Sequence, residues 1–327
     1  MMRQSTLPLT FREFEASDYE RLVEIFNANY PDYTTSIEEL RHADESLDRS
    51  KFHFKRYVCI DQGSRTILGF GSIKHSSWMF HPQKFWIEVQ VDPKYQGRGV
   101  GSQIYQKLAE DLTKMQATTG WAMFKEDMPN TLTFAMKLGF TEKKRAWESR
   151  LNPSEVDVAR FQNYTAKASD AGIKISTLSE EQARGPDSLR KLYALFQELM
   201  ADLPLPVPYT PVSYEQWEST ELKNPSLIPN CYFIASDGPR YVGLSAALRS
   251  DRETKTLYQI LTGVRREYRG RGIAIALKLK VIDFATRNQF DKIKTWNDTD
   301  NAPMLAVNTK LGFKREAGWI TMEKNLG

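Results

Sequence analysis

The chain has 327 residues, of which 41% are hydrophobic and 26% are charged, and its formal net charge is +4. This length suits two domains, and the composition is ordinary for a globular protein. The mild charge argues against a nucleic-acid partner, for which we would expect a dense basic stripe, and it fits an anionic small ligand. The N-terminal stretch lacks the apolar core of a secretion signal, and no run of about 18 apolar residues predicts a membrane span. We therefore expect a cytoplasmic protein with no membrane partner.

The first half predicts several strands followed by a glycine-rich turn and a helix. The apolar runs "YVCI", "TILGFGSI" and "KFWIEVQV" read as successive strands. In the last of them, alternate residues from Phe85 to Val91 share one face, as in a strand with a buried side. The turn "QGRGVG" follows, and after it comes a helix with an i, i+4 apolar stripe formed by Val100, Ile104, Leu108 and Leu112.

The second half repeats this order at a constant offset. The runs "IKISTL", "CYFIAS", "YVGLSAAL" and "TLYQILTGV" predict strands, and "RGRGIA" precedes a second amphipathic helix. The two turns begin at positions 96 and 269, an offset of 173, and the same offset carries the Lys-Leu-Gly-Phe at 137–140 onto that at 310–313. Such an offset predicts two copies of one domain, residues 1–152 and 173–327, joined by a helical connector at 153–172.

Two smaller features add expectations. The segment from Leu203 to Pro211 carries four prolines, so we predict an irregular loop, which is either a substrate lid or a plain connection. Cys59 and Cys231 lie in separate apolar runs without neighbouring histidines or cysteines. They are predicted to be reduced core residues, and no metal site is expected.

A strand, a glycine-rich turn and a helix together make a geometry suited to anions. Glycines allow a tight turn and let a ligand approach the backbone. The first helical N–H groups have no carbonyl partners, and the helix dipole adds positive charge there, so a phosphate fits and Arg98 or Arg271 could add charge. No Gly-Lys-Ser/Thr follows, and the spacing is not G-x-G-x-x-G, which excludes two common nucleotide motifs. A tight connection without a ligand is the alternative, but the repetition with a basic residue favours a ligand.

These residues resemble the GCN5-related N-acetyltransferases. The family's signature, Gln/Arg-x-x-Gly-x-Gly/Ala, corresponds here to Gln96-x-x-Gly99-x-Gly101 and to Arg269-x-x-Gly272-x-Ala274. The stretches "MPNTLTFAMKLGF" and "NAPMLAVNTKLGF" resemble the family's later helix and strand. The resemblance implies an α/β (α+β) fold, with two tandem copies of a mixed, splayed central sheet flanked by helices.

The resemblance also implies acetyl-CoA as the cofactor. Its pantetheine arm would be lined by Val89, Gln90 and Val91 in one copy, and by Thr262, Gly263 and Val264 in the other. Its pyrophosphate would sit on the backbone of Gln96, Gly97, Arg98, Gly99, Val100, Gly101 and Ser102, or of Arg269, Gly270, Arg271, Gly272, Ile273, Ala274 and Ile275. Asn301 is a further cofactor candidate, and Gly263 would suit the β-bulge at which the sheet begins to splay.

The catalytic groups are less clearly marked. The family often uses a tyrosine on the later helix as a general acid, but this position holds Ala135 in the first copy and Asn308 in the second. Asn308 could donate a hydrogen bond to the sulfur or carbonyl of the donor, or it could be an ordinary helix-face asparagine. Asn297 is a second amide near the site, and its counterpart in the first copy is Phe124.

Asn297 and Asn301 favour the second copy as the catalytic one, whereas Glu88 points to the first. Glu88 lies on the polar face of its strand, where it could deprotonate an amine through water, and its counterpart is Leu261. A surface or ion-paired glutamate is the alternative.

We predict an acetyl-CoA-dependent N-acetyltransferase that acts by direct attack in a ternary complex on a primary amine of a small molecule, with the C-terminal copy active. Peptide or protein acetylation, or a non-catalytic acyl-CoA-binding module, are the alternatives. The protein is expected to be a monomer or a homodimer.

Overall fold

The computed structural model of the chain describes residues 8–250 and 253–327. Strands and helices are interspersed along these residues. The strands are β1 (Leu9–Glu13), β2 (Phe54–Asp61), β3 (Ile67–Lys74), β4 (Lys84–Val91), β5 (Thr119–Lys125), β6 (Thr141–Leu151), β7 (Ile173–Thr177), β8 (Leu227–Asp237), β9 (Arg240–Arg249), β10 (Thr256–Val264), β11 (Lys292–Asp298) and β12 (Lys314–Asn325). The helices are α1 (Tyr19–Asn29), α2 (Ile37–Glu45), α3 (Val100–Lys114), α4 (Pro129–Lys137), α5 (Gln162–Asp170), α6 (Leu178–Ala183), α7 (Pro186–Ala201), α8 (Tyr214–Trp217), α9 (Ile273–Arg287) and α10 (Ala302–Leu311).

The chain packs into two compact units. The first runs from the start of the described chain to Phe124 and also contains Met128–Lys143 and Thr321–Gly327. The second contains Lys125–Asp127 and Lys144–Ile320. The boundaries at 152 and 173, which we predicted from the repeat, divide the sequence into its two copies. The units are defined by packing, and most of β6 falls in the second unit while the end of the chain falls in the first.

The first unit is built on a mixed sheet. Strands β1, β2, β3 and β4 pair antiparallel in that order, and β5 then pairs parallel to β4. The parallel pairing covers Lys84–Trp86 and Thr119–Trp121, and β4 continues to Val91 beyond the last pair. The final residues of β12 follow β5 in the strand order. There the Trp121 indole donates to Glu323 over 2.9 Å.

The second unit repeats this strand arrangement, with a register shift between β9 and β10. Strands β7 to β10 pair antiparallel, β11 pairs parallel to β10, and β6 pairs antiparallel to β11. The pairing of β10 with β9 shifts register between Gln259 and Leu261. The bulge therefore lies before Gly263, whereas the sequence led us to expect it at Gly263. Gly263 instead lets α7 approach, because a Cβ there would lie 2.9 Å from Leu199 Cδ1.

One long helix covers each sheet and buries the stripe predicted for it. Val100, Ile104, Leu108 and Leu112 of α3 are all at most 2% exposed, and Ile273, Leu277, Val281 and Ala285 of α9 are equally buried. In the first unit α3 lies close to β3 because Gly71 has no side chain, and a Cβ there would overlap Ile104. Both cysteines are free and fully buried, as predicted.

The connector and the proline-rich segment both belong to the second unit. Helix α5 lies in the predicted connector and packs against α9. Residues 203–211 form neither helix nor strand. A cavity of about 440 Å³ is lined by Ala201, Leu203 and residues 205–209. No helix in residues 8–250 or 253–327 is long and apolar enough to cross a membrane.

Candidate active site

Both glycine-rich turns adopt the same backbone conformation. Gly97 and Gly99 have φ angles of 73° and 82°, and Gly270 and Gly272 have 75° and 81°. This left-handed region favours glycine, which explains why each turn repeats the residue at this spacing. Gly99 and Gly272 are the N-cap residues of α3 and α9, so the free N–H groups of each helix start directly at the turn. We call each of these two turns, residues 96–102 and 269–275, a cradle.

The first cradle is open. A Cβ placed on Gly97 or Gly99 would meet no atom within 4 Å. Val100 is buried in the core, so only its backbone is available to a ligand, whereas Ser102 is exposed. Arg98 is exposed and lies 5.5 Å from the Tyr95 ring, and it has no acidic partner among the residues that the structure describes. Its charge is therefore available to an anion held on the turn.

In the second cradle, a side chain of the connector lies against Gly272, whereas a Cβ on Gly270 would meet no atom within 4 Å. A Cβ on Gly272 would lie 3.1 Å from Cδ1 of Tyr164, which belongs to α5. The Tyr164 hydroxyl accepts a hydrogen bond from Lys310 Nζ over 2.7 Å, and this Lys310 amine also lies 5.1 Å from the centre of the tyrosine ring. The tyrosine thus crowds one side of Gly272, whereas its counterpart Gly99 has no neighbour within 4 Å of a Cβ.

The arginines around the second cradle already have partners. Asp202 pairs with Arg266 and with Arg269, the latter over 2.5 Å. The hydrogen bond from Arg266 lowers the pKa of Asp202, so the carboxylate is ionised at neutral pH. Arg271 donates to the Glu267 carbonyl over 3.1 Å and lies 4.9 Å from the Tyr268 ring, and like Arg98 it has no carboxylate partner among the described residues. A phosphate would meet two paired arginines and a fixed negative charge here, and only Arg271 would offer a charge without a carboxylate partner among the described residues.

The first residue of each signature has a structural role that the sequence did not reveal. Gln96 Nε2 donates to the Val91 carbonyl over 3.1 Å and to Asn29 Oδ1 over 2.9 Å. Arg269 Nε donates to the Val264 carbonyl over 3.0 Å. Each side chain therefore ties its turn to the end of the preceding strand. The side-chain partner of Gln96 is the neutral Asn29, whereas that of Arg269 is the charged Asp202.

A network of polar side chains lies beside the splayed end of β4. Glu88 accepts hydrogen bonds from Ser72 Oγ over 3.1 Å and from Gln90 Nε2 over 3.3 Å. Gln90 Oε1 accepts from Asn29 Nδ2 over 3.0 Å, which ties the end of α1 to this strand. Tyr30 is 7% exposed and hydrogen-bonds to the Gln90 side chain. Burial, and then the charge of Glu88, raise the pKa of Tyr30 to about 12, so its hydroxyl keeps its proton at neutral pH.

The second unit has lost this network. The offset of 173 places Leu203, Leu261 and Gly263 at the positions of Tyr30, Glu88 and Gln90. Thr262, whose counterpart in the first unit is Val89, lies with its hydroxyl 2.8 Å from Ser245 Oγ. None of the three replacements can accept or release a proton.

The other asparagine candidates are committed within the second unit. Asn308 is 2% exposed, and its Nδ2 donates to Asn297 Oδ1 over 2.7 Å, whereas its own Oδ1 is buried without a hydrogen-bond partner among the described residues. Asn301 caps α10 by accepting a hydrogen bond from the Met304 amide. The corresponding position of Asn308 in the first unit, Ala135, is buried. These placements favour structural roles for the three asparagines.

The splayed mixed sheet with an anion cradle at a helix N-terminus defines a class of α/β proteins that bind an anionic cofactor beside an unpaired strand end. The model of the Acetyltransferase (GNAT) family matches residues 19–140 and 192–313, so the chain belongs to this family. The second match begins and ends 173 positions after the first, which is the offset predicted from the two turns. The chain is thus a tandem acetyltransferase whose cofactor is acetyl-CoA.

Solved structures share the complete two-copy fold. A tandem GNAT protein from the clavulanic acid biosynthesis pathway is 17% identical, with a TM-score of 0.71, and the match covers 98% of this chain and 99% of that chain. A GCN5-related N-acetyltransferase from Sphaerobacter thermophilus is 17% identical, with a TM-score of 0.68 and coverage of 98% and 97%. A glucosamine N-acetyltransferase region of a fungal multi-domain enzyme is 15% identical, with a TM-score of 0.68, and covers 97% of this chain but 38% of that chain. No curated protein matches the sequence.

Proposed function

We propose that the protein is an acetyl-CoA-dependent N-acetyltransferase whose first unit binds the cofactor and acetylates a primary amine of a small molecule. This places the activity in the copy opposite to the one favoured by the sequence. The observation that carries the proposal is the contrast between the cradles. A Cβ on Gly99 would meet no atom within 4 Å, whereas a Cβ on Gly272 would lie 3.1 Å from Cδ1 of Tyr164.

The residues of the first unit fit the cofactor. The free amides at the start of α3 would hold the pyrophosphate together with Arg98, which has no acidic partner in the described part of the chain. The end of β4 from Val89 to Val91 would accompany the pantetheine arm. Acetyl-CoA supplies an activated acetyl group, which the amine takes up directly in a ternary complex. The chain itself must bind and deprotonate the amine.

Glu88 supplies the charge and the base for the acceptor. An amine enters as an ammonium ion at neutral pH and must lose a proton before it can attack. A carboxylate in a partly buried strand position attracts that cation and can accept its proton directly or through one water. Ser72 and Gln90 hold the carboxylate in place by donating to its two oxygens. The second unit has Leu261 here, which supports assignment of the chemistry to the first unit.

The test measures release of free thiol from acetyl-CoA with a panel of small amines and peptides. We expect turnover with small primary amines, and a loss of about 100-fold in kcat for Glu88→Gln. Glu110→Gln is the matched control, because Glu110 is a half-exposed glutamate of α3 that pairs with Lys107. Its activity should stay within a factor of two of the parent protein, by our estimate.

Other outcomes separate the alternatives. Turnover with peptides but not small amines would favour a peptide or protein acetyltransferase. Binding of acetyl-CoA without turnover on any amine would favour a non-catalytic module and refute the enzyme proposal. We also infer a cytoplasmic location, which the two free, buried thiols support.

A further inference from the structure

The first unit lacks a proton donor at the position where the family resemblance led us to expect one. That position on α4 holds Ala135, which is 2% exposed and carries no ionisable group. A leaving thiolate that receives no proton or hydrogen bond is a poorer leaving group, so another residue of the unit is needed for this task.

Tyr30 lies at the C-terminal end of α1, beside the polar network of β4. Asn29, the residue before Tyr30, is fixed to this strand by two hydrogen bonds. Its Nδ2 donates to Gln90 Oε1 over 3.0 Å and to the Val91 carbonyl over 3.1 Å. The Gln90 amide contacts both Glu88 Oε1 and the Tyr30 side chain. The carboxylate and the phenol are thereby held on one side of β4, at the splayed end of the strand.

We propose that Tyr30 donates its hydroxyl proton to the sulfur that leaves during acetyl transfer. This inference rests on the proposed function of the first unit and assigns a second acid–base group to it. The hydroxyl comes from α1, whereas the tyrosine expected from the family comes from the later helix. Leu203 occupies the matching position of the second unit, which would therefore lack the donor.

The proton and electron balance of the step is complete. Glu88 first takes one proton from the bound ammonium group. The nitrogen lone pair then forms the bond to the carbonyl carbon, the carbon–sulfur bond breaks, and its electron pair takes the Tyr30 proton. The phenolate recovers a proton from the acylated nitrogen, and Glu88 releases its own to water. The net products are the amide, free thiol and one proton.

The experiment compares Tyr30→Phe with Tyr105→Phe, a control that removes the hydroxyl of a tyrosine on α3 whose partner is Lys324. With acetyl-CoA, Tyr30→Phe should lower kcat about 100-fold, and Tyr105→Phe should leave it within a factor of two by our estimate. With an acetyl thioester of an acidic aromatic thiol, whose thiolate leaves without a proton, Tyr30→Phe should equal the parent protein. A purely structural role for Tyr30 would lower both rates alike and would overturn the inference.

A second readout needs no turnover. The ultraviolet absorbance of the thiolate in bound CoA reports its ionisation as the pH is raised. A hydroxyl that donates to the sulfur stabilises the thiolate, so the bound thiol should ionise at higher pH in Tyr30→Phe than in the parent or in Tyr105→Phe. Equal titration curves in all three proteins would overturn the inference.

A further variant covers the case in which Tyr30→Phe fails to fold. A fluorinated tyrosine at position 30 keeps the ring and acidifies the hydroxyl, so the decline of kcat at high pH should move to lower pH. An unchanged profile would contradict the role of Tyr30. Absence of turnover in the parent protein with every amine would instead refute the proposed function itself.

Discussion

A carboxylate placed in the first cradle should weaken CoA binding by charge alone. Gly99→Asp is the change of choice, because aspartate tolerates the left-handed backbone better than most residues. Gly99 is exposed, and a Cβ there would meet no atom within 4 Å. The new side chain therefore fits the protein and points into the space that the pyrophosphate would use.

The magnitude follows from Coulomb's law. With about 5 Å between the new carboxylate and a phosphate charge, and an effective dielectric constant of about 40 at a surface turn, the repulsion is about 1.7 kcal/mol. This corresponds to a roughly 17-fold rise in Kd. The effect should shrink as salt is added, because exposed charges are screened over about 10 Å at 0.1 M ionic strength.

Isothermal titration calorimetry with CoA at two salt concentrations is the assay, and two variants are its controls. Gly99→Asn has nearly the same shape and backbone tolerance without the charge, and it should bind CoA several-fold more tightly than Gly99→Asp. Gly272→Asp should leave Kd unchanged, but its Cβ would crowd Tyr164 and lower stability by about 1–3 kcal/mol. Loss of binding in Gly272→Asp with retention in Gly99→Asp would refute the assignment of the cofactor to the first unit.

Three further outcomes are expected. Arg98→Gln should raise the Kd for CoA about fivefold and reduce its salt dependence, as calorimetry would show, because a charge-assisted contact to phosphate is lost. Ser72→Ala should lower kcat several-fold with little change in cofactor affinity in steady-state kinetics, because Glu88 loses one of its two donors. Burial lowers the pKa of Lys278 to about 7. Between pH 7 and about 10, Lys278 is therefore protonated in the unfolded chain and neutral in the folded chain. The free energy of unfolding should therefore rise with pH in this range in denaturant titrations, and Lys278→Met should flatten the rise; an equal slope in both proteins would contradict it.

The sequence was sufficient to predict the duplicated fold and the position of both cradles. Turns with a fixed glycine spacing must adopt a backbone that other residues rarely tolerate, and the φ angles of Gly99 and Gly272 confirm this. The buried stripes of α3 and α9 were equally visible, since helical periodicity reports burial directly.

Contacts between distant segments could not be predicted in the same way. Tyr164 reaches Gly272 from α5, a helix that lies far earlier in the chain, and no local pattern indicates that contact. The same holds for Asp202, which follows α7 and neutralises two arginines near the second cradle. Both contacts depend on how α5 and α7 pack in the second unit.

One signal in the sequence could have identified the polar network. The offset of 173 aligns Tyr30, Glu88 and Gln90 with Leu203, Leu261 and Gly263, so three polar residues change to apolar or small ones together. Glu88 and Gln90 were visible because both lie on a predicted strand, although Gln90 was expected only to line the pantetheine arm. Tyr30 lies well before that strand in the chain, and only the packing of α1 against β4 brings it near.

Counting CoA molecules on the intact chain tests the central claim most directly. Native mass spectrometry with saturating CoA should give one molecule per chain, and hydrogen–deuterium exchange should show protection at residues 96–102. Two molecules per chain, or one that protects residues 269–275 instead, would contradict the assignment of the cofactor to the first cradle alone.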